Sequence, residues 1–174
     1  KPSVVVAVVS AANLERSLYL VAELAALEAP VVVALNMMDV AGQEGIQVDA
    51  RILEAALGLP VVPMTASKAA GVRELLGVVD EVLQGKRIPC PHLPEVRSDH
   101  REVLDRIEAS ISGYVPETHP QSWVALKLLE GDSEITHMMQ EILPKDAWSA
   151  VHEVLRMHDD AFMAVASGRY DWIA

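Results

Sequence analysis

A single cysteine, Cys90, stands among 174 residues, so no disulfide can form within the chain and a reducing compartment fits. No apolar run reaches the roughly 18–20 residues that spanning a bilayer needs; the longest, "VVVAVVSAA" at 4–12, is about half that. Positive charge is scarce: 14 Lys and Arg against 25 Asp and Glu leave a net charge of -11, which argues against nucleic acid or an anionic membrane as the main partner. The opening "KPSVVVAVV" has no n-region, h-region or cleavage site, so it is no signal peptide. No G-x-x-x-x-G-K-[ST] occurs, which removes the backbone nest and the lysine that would hold β- and γ-phosphates. None of the six histidines has a metal-like partner set; His152 and His158 are six apart, off the i, i+4 spacing that puts two ligands on one helix face. Repeats and low-complexity tracts are absent. The first strand pattern starts within a few residues of Lys1, so the expectation is a fragment whose N-terminal part lies outside this sequence.

What is present divides into two halves with different patterns. Hydrophobic residues make up 51% of the chain, enough for a substantial core. In residues 1–88 short β-branched runs alternate with helical patterns: "SVVVAVV" (3–9), "PVVVAL" (30–35) and "LPVVPM" (59–64) read as parallel strands covered on both faces. Helices are expected over 13–28, 45–58 and 71–85, the first with Leu14, Leu18, Val21 and Leu24 on one face and Leu20 and Leu27 beside it. Strands each followed by a helix define an α/β layered sheet. "KRIPCPHLPEV" (86–96), with Cys90 between prolines, reads as a linker. Residues 89–174 are then a linker and a small all-helical domain. Its apolar faces carry Val103, Leu104, Ile107 and Ile111; Ile135, Met138, Met139, Ile142 and Leu143; and Trp148, Val151, Val154 and Leu155. Asp132 or Ser133 and Asp146 are candidate N-caps, Pro144 ends the preceding helix, and Trp123, Trp148 and Trp172 read as packing anchors.

The chemistry concentrates where the second run meets solvent. In "PVVVALNMMDVAG" (30–42) an amide, Asn36, and a carboxylate, Asp39, stand at the carboxyl end of a strand, where open α/β sheets bind ligands. A carboxylate there can accept two parallel hydrogen bonds from a planar base, such as N1–H and N2–H of guanine. The asparagine can brace neighbouring loops or meet the base edge. A lone N-x-x-D is also what an Asx turn ending a strand looks like. The next strand end, "VVPMTASKAAG", carries Thr65, Ala66 and Ser67 at the corresponding place.

These two segments resemble N-K-x-D and S-A-x, the fourth and fifth base-recognition segments of the P-loop GTPases, at consecutive strand ends. Met37 stands at the lysine position, so a base would lie against a thioether. "NLERSLYL" (13–20) followed by "PVVVALNMMDVA" closely resembles the bacterial ferrous-iron transport protein B (FeoB) family, and "SWVALKLLEGD" (122–132) and "GRYDWI" (168–173) are similar to its helical domain. Ser10 and Ser17 depart from the family's usual aspartate and asparagine, and Thr65 replaces a serine while keeping the hydroxyl.

The resemblance implies a partial P-loop GTPase domain over 1–88, a three-layer αβα fold with a mostly parallel sheet, and a helical GDP-dissociation-inhibitor-like domain over 89–174. It implies guanine-base contacts from Asn36, Met37, Asp39, Thr65, Ala66 and Ser67, with GTP or GDP as ligand and Mg2+ for the complete domain. The P-loop, switch and magnesium segments are missing, so no catalytic residue is assigned and this chain alone should not hydrolyse GTP. Implied partners are the other half of the GTPase domain and a transmembrane iron permease, at the cytoplasmic face of the bacterial inner membrane. The alternative is a non-enzymatic α/β-plus-helical interaction module that keeps such strand ends without binding nucleotide.

Overall fold

Five consecutive residues of the second apolar run, Val31–Leu35, are wholly buried, which makes this run the centre of a sheet. In the computed structural model, which describes residues 2–27, 29–93 and 98–158 with Gly168 and Trp172, it is strand β2 (Val31–Asn36). β1 (Val5–Ser10) and β3 (Val61–Pro63) flank it, both parallel to it, in the order β1-β2-β3. The register pairs Ser10 with Asn36 and Leu35 with Pro63, so the ends of all three strands share one edge. Helix α1 (Leu14–Ala25) packs on β1 and β2 and follows a 3-10 turn over Ala11–Asn13.

Three elements differ from the sequence expectation. β1 is not covered on both faces: Val6 and Val8 are 39% and 61% exposed, while Ala7 and Val9 are buried. Among the described residues it pairs with β2 alone, as an edge strand does. The buried stripe of α1 is Leu18, Val21, Ala22 and Ala25, with Leu20 exposed, because small alanines let the helix lie close to the sheet. The helix expected over 45–58 is shorter at its start, and a helix that was not expected precedes it. A short helix α2 (Met38–Gln43) starts within the motif, and α3 (Ala50–Leu57) begins only after Gly45 turns the chain at φ 75°. Asp49 caps α3 by accepting the Arg51 N–H at 2.8 Å. Helix α4 (Val72–Leu83) then packs on β2.

The end of α3 explains how the chain leaves this unit. Gly58 closes the helix at φ 66°, and a Cβ there would lie 2.0 Å from the Cys90 carbonyl oxygen. Only glycine permits both the left-handed turn and that approach. Cys90 N–H donates to Gly58 O at 2.9 Å and His92 N–H to Leu57 O at 2.8 Å, so the described part of the proline-rich segment lies against α3. Glu54 accepts the Val61 N–H at 3.0 Å and pairs with Arg87, tying α3, β3 and the same segment together.

The chain divides into two units between Leu93 and Pro94. In the second, α5 (Ser98–Ile111) packs on α6 (Gln121–Leu129) and α8 (Lys145–Met157), and α6 packs on α7 (Ser133–Ile142). Val103, Ile107, Ile111, Val124, Leu128, Met139 and Val151 form its core, with Trp123 and Trp148 packed against it. Met139 is buried as its helical face requires, whereas Ile142 is 40% exposed at the helix end. Asp132 caps α7, accepting the Ile135 N–H at 3.0 Å. Asp146 does not cap α8: Pro144 takes that position and Asp146 falls in the first turn, where its charge favours the helix N-terminus. The "GRYDWI" segment, apart from Gly168 and Trp172, and the linker residues 94–96 lie outside the described residues.

Candidate functional site

Parallel pairing brings the last residue of β1, the last residue of β2 and the loop after β3 to one edge, and the sequence motifs lie on that edge. Asn36 ends β2, and Met37 turns the chain out of the sheet in the left-handed region, at φ 63°. For a non-glycine residue this conformation is strained, at a cost of about 1–2 kcal/mol. It leaves the Met37 side chain 41% exposed at the mouth of the edge. The Ser10 hydroxyl donates to Met37 Sδ at 3.5 Å, and Ser17 Oγ accepts the Ser10 N–H at 3.2 Å while donating to Asn13 O at 2.9 Å. Ser10 and Ser17 thus meet each other, and Ser10 holds Met37.

The loop after β3 is closed on itself. Thr65 N–H donates to Ala70 O at 3.0 Å and Ala70 N–H returns a bond to Thr65 O at 3.2 Å, around a 3-10 turn over Ala66–Lys68. Thr65 is buried and Ala66 and Ser67 are exposed. Gly71 makes the closure possible: at φ 84°, a Cβ would lie 2.5 Å from Pro63 O and 2.6 Å from Met64 Cβ. Gly71→Ala should therefore shift the loop or strain β3, lowering stability by about 1–3 kcal/mol. Thermal melts of the variant check this, and an unchanged midpoint would refute the steric account.

Cross-links join the two loops. Met64 N–H donates to Leu35 O at 2.8 Å and Met38 N–H to Met64 O at 3.3 Å. Asn36 Oδ1 accepts the Ala66 N–H at 3.0 Å, so the asparagine acts as a brace and its amide NH2 remains a donor. Asp39 Oδ1 accepts the Val40 N–H at 3.0 Å, and Lys68 Nζ lies 2.9 Å from Asp39 Oδ2. The hydrogen bond from Lys68 is the main reason the Asp39 carboxyl sits below its ordinary range; partial desolvation opposes it, and the Lys68 charge and the Val40 N–H reinforce it. Asn36, Met37, Asp39, Thr65, Ala66 and Ser67 are thus brought together. Lys68 belongs to the same cluster and was missed. No spacing rule links positions 39 and 68, and only the adjacency of consecutive strand ends could have shown it.

The histidines serve other contacts. His92 Nδ1 lies 2.9 Å from Ala56 O, His119 stacks on Trp123 with ring centroids 5.5 Å apart, and His100 is buried. Among the described residues no three His, Cys, Asp or Glu side chains group as metal ligands. The magnesium of a GTPase domain is held by a P-loop hydroxyl and a strand-end aspartate; the donor set here does not supply such a site.

An edge of parallel strands presenting a carboxylate, an amide and a glycine-closed turn, with a helical unit downstream, defines the class: part of an open parallel α/β domain joined to a helical domain. Residues 1–79 match the family model described as ferrous iron transport protein B, and residues 98–174 match that of the FeoB cytosolic helical domain. The chain belongs to the ferrous iron transport protein B family and corresponds to its cytosolic region.

Among similar proteins, the Fe(2+) transporter FeoB of Escherichia coli is 30% identical over 167 residues, covering 96% of this chain and 21% of the relative. A fusion of Fe(2+) transport protein A with FeoB in Porphyromonas gingivalis is 31% identical over 185 residues, 100% of this chain and 22% of that protein. The chain therefore spans about a fifth of the length of these curated relatives. A solved S. thermophilus NFeoB variant bound to GDP superposes with a TM-score of 0.84 at 27% identity, over 99% of this chain and 67% of that one. The cytosolic domain of L. pneumophila FeoB gives 0.80 at 27% identity, over 99% of this chain and 65% of that one. A further S. thermophilus NFeoB structure, bound to GDP·AlF4− and K+, gives 0.81 at 27% identity, over 95% and 65%.

Proposed function

We propose that this chain is the guanine-base-recognition half of a GTPase domain together with the helical domain that regulates it, in the cytosolic region of a bacterial ferrous iron transporter. The observation that supports this reading best is the cross-linked pair of loops, with Asn36 bound to Ala66 and Asp39 to Lys68, at the carboxyl edge of a parallel sheet. Asp39 accepts N1–H and N2–H of guanine on the lone pairs that Val40 and Lys68 leave open. Met37 lies against the base plane. The Thr65–Ser67 turn faces O6, with the Ala66 N–H shared between Asn36 and the base. Phosphates and magnesium are held by the other half of the domain, whose open partner edge is β1 with exposed Val6 and Val8. The helical unit stabilises the GDP-bound state and links it to the membrane permease, which sets the location at the cytoplasmic face of the inner membrane. Among the described residues no helix is long and apolar enough to cross a membrane.

The test is a fluorescent-nucleotide titration of the complete cytosolic region, with and without residues 97–174. Guanine nucleotide should bind in preference to adenine nucleotide. Deleting the helices should weaken GDP binding by a factor within about 5- to 150-fold while GTP affinity changes much less. Equal GDP binding with and without the helices would leave them a spacer. Failure of any guanine nucleotide to bind would favour the non-enzymatic module.

A further inference from the structure

We propose that Lys68 is a positioning residue of the base site: its ammonium orients the Asp39 carboxylate and ties the base-reading loop after β2 to the one after β3. This rests on the base-site reading above and adds to it a cation that the sequence motif does not contain. In this chain Met37 occupies the lysine position of N-K-x-D, so the β2 loop supplies no cation of its own there. The neighbouring loop supplies one instead.

Lys68 Nζ lies 2.9 Å from Asp39 Oδ2, while Oδ1 of the same carboxylate accepts the Val40 N–H at 3.0 Å. With one oxygen fixed from each side, rotation about the carboxylate bond is restrained. The acceptor lone pairs that remain point in set directions. The partners are unequal: the Lys68 side chain is 64% exposed and that of Asp39 25% exposed, so the lysine lies largely in solvent. An exposed pair of this kind adds little to folding stability. Its effect falls on the orientation and charge of one functional group. Lys68 also sits on the same 3-10 turn as Ala66, whose N–H binds Asn36. Besides the backbone bonds through Met64, the two loops are therefore joined by two side chains, those of Asn36 and Asp39. Among the described residues, Lys68 is the charged group acting on Asp39; the other influences are desolvation and the backbone N–H groups of Val40 and of Asp39 itself.

A bound carboxylate that must accept two N–H donors works only when ionised. A counter-ion that holds its pKa down extends base binding to lower pH. Removing the counter-ion lets the pKa rise, and the acid limb of binding then moves to higher pH.

The experiment uses the complete cytosolic protein and measures fluorescent-GDP affinity and release from about pH 3 to 8, so that the range spans the ordinary aspartate pKa. Lys68→Met, which keeps the apolar stem, should weaken GDP binding about two- to fivefold at neutral pH and displace the acid limb upward. Lys68→Arg should restore both. In an Asp39→Asn background, Lys68→Met should have no further effect, because the charge it acts on is gone. Weaker binding with an unmoved acid limb, or no rescue by arginine, would show a merely structural residue and overturn the proposal. So would unchanged affinity and pH profile in a protein whose base preference still responds to Asp39→Asn; the base-site reading would then survive without Lys68. If Asp39→Asn leaves base preference untouched, both readings fall together.

Discussion

Asp39→Asn in the complete cytosolic protein should convert a site that prefers guanine into one that prefers xanthine. The carboxylate only accepts, which suits the N1–H and N2–H pair of guanine. An amide offers one acceptor and one donor, which suits N1–H beside the C2 carbonyl of xanthine. The backbone bond from Val40 N–H to Oδ1, at 3.0 Å, can persist with the amide oxygen, so the side chain keeps its place on the first turn of α2. The charge-assisted contact with Lys68 is lost. Because a site built for specific hydrogen bonds leaves unpaired groups when the wrong base enters, the preference should change by about a hundredfold or more. Competition of GDP and XDP for a fluorescent guanine nucleotide reads this directly, and an unaltered ratio would remove Asp39 from base recognition.

The helical unit should be equally sensitive at its centre. Ile107 is fully buried between α5 and its neighbours. Ile107→Ala deletes core volume that the surrounding Val103, Leu128 and Val151 cannot wholly refill, a loss of about 2–5 kcal/mol. A unit of about 75 residues has little stability in reserve, so the variant should be extensively unfolded under mild denaturant. All three tryptophans, Trp123, Trp148 and Trp172, follow the break at Leu93. Tryptophan fluorescence therefore follows unfolding of this unit separately from the sheet. A shift corresponding to less than about 1 kcal/mol would mean that the core relaxes around the cavity.

The three strands and the helical character of the later residues were legible in the sequence because each depends on local pattern. Val31–Leu35 is apolar without alternation, as a central parallel strand must be, and it is wholly buried. The misreadings arose where long-range geometry decides. Val6 and Val8 are the same residue type as their β2 neighbours and differ in lying on an uncovered face of a strand that, among the described residues, has a single neighbour. Asp146 has the chemistry of a cap, yet the helix begins at Lys145, two residues before a cap at Asp146 would allow, because Pro144 already sets the turn before it. Asn36 left two roles open, and its bond to Ala66 could be seen only when the loops, 30 positions apart, met. For the same reason Lys68 carried no signal of its own.

The hydrogen bonds from Cys90 and His92 to the end of α3 change the mechanics of the tether. The chain leaves α4 at Leu83, but it is pinned again at Gly58 and Leu57 before it departs past Leu93. A pull from downstream is thus delivered to the residues that lead into β3, rather than to α4. β3 is a short, stiff rod with its pinned entrance at one end and the Thr65–Ser67 turn at the other. Tension on the tether would reach the Thr65–Ser67 turn through a strand only three residues long.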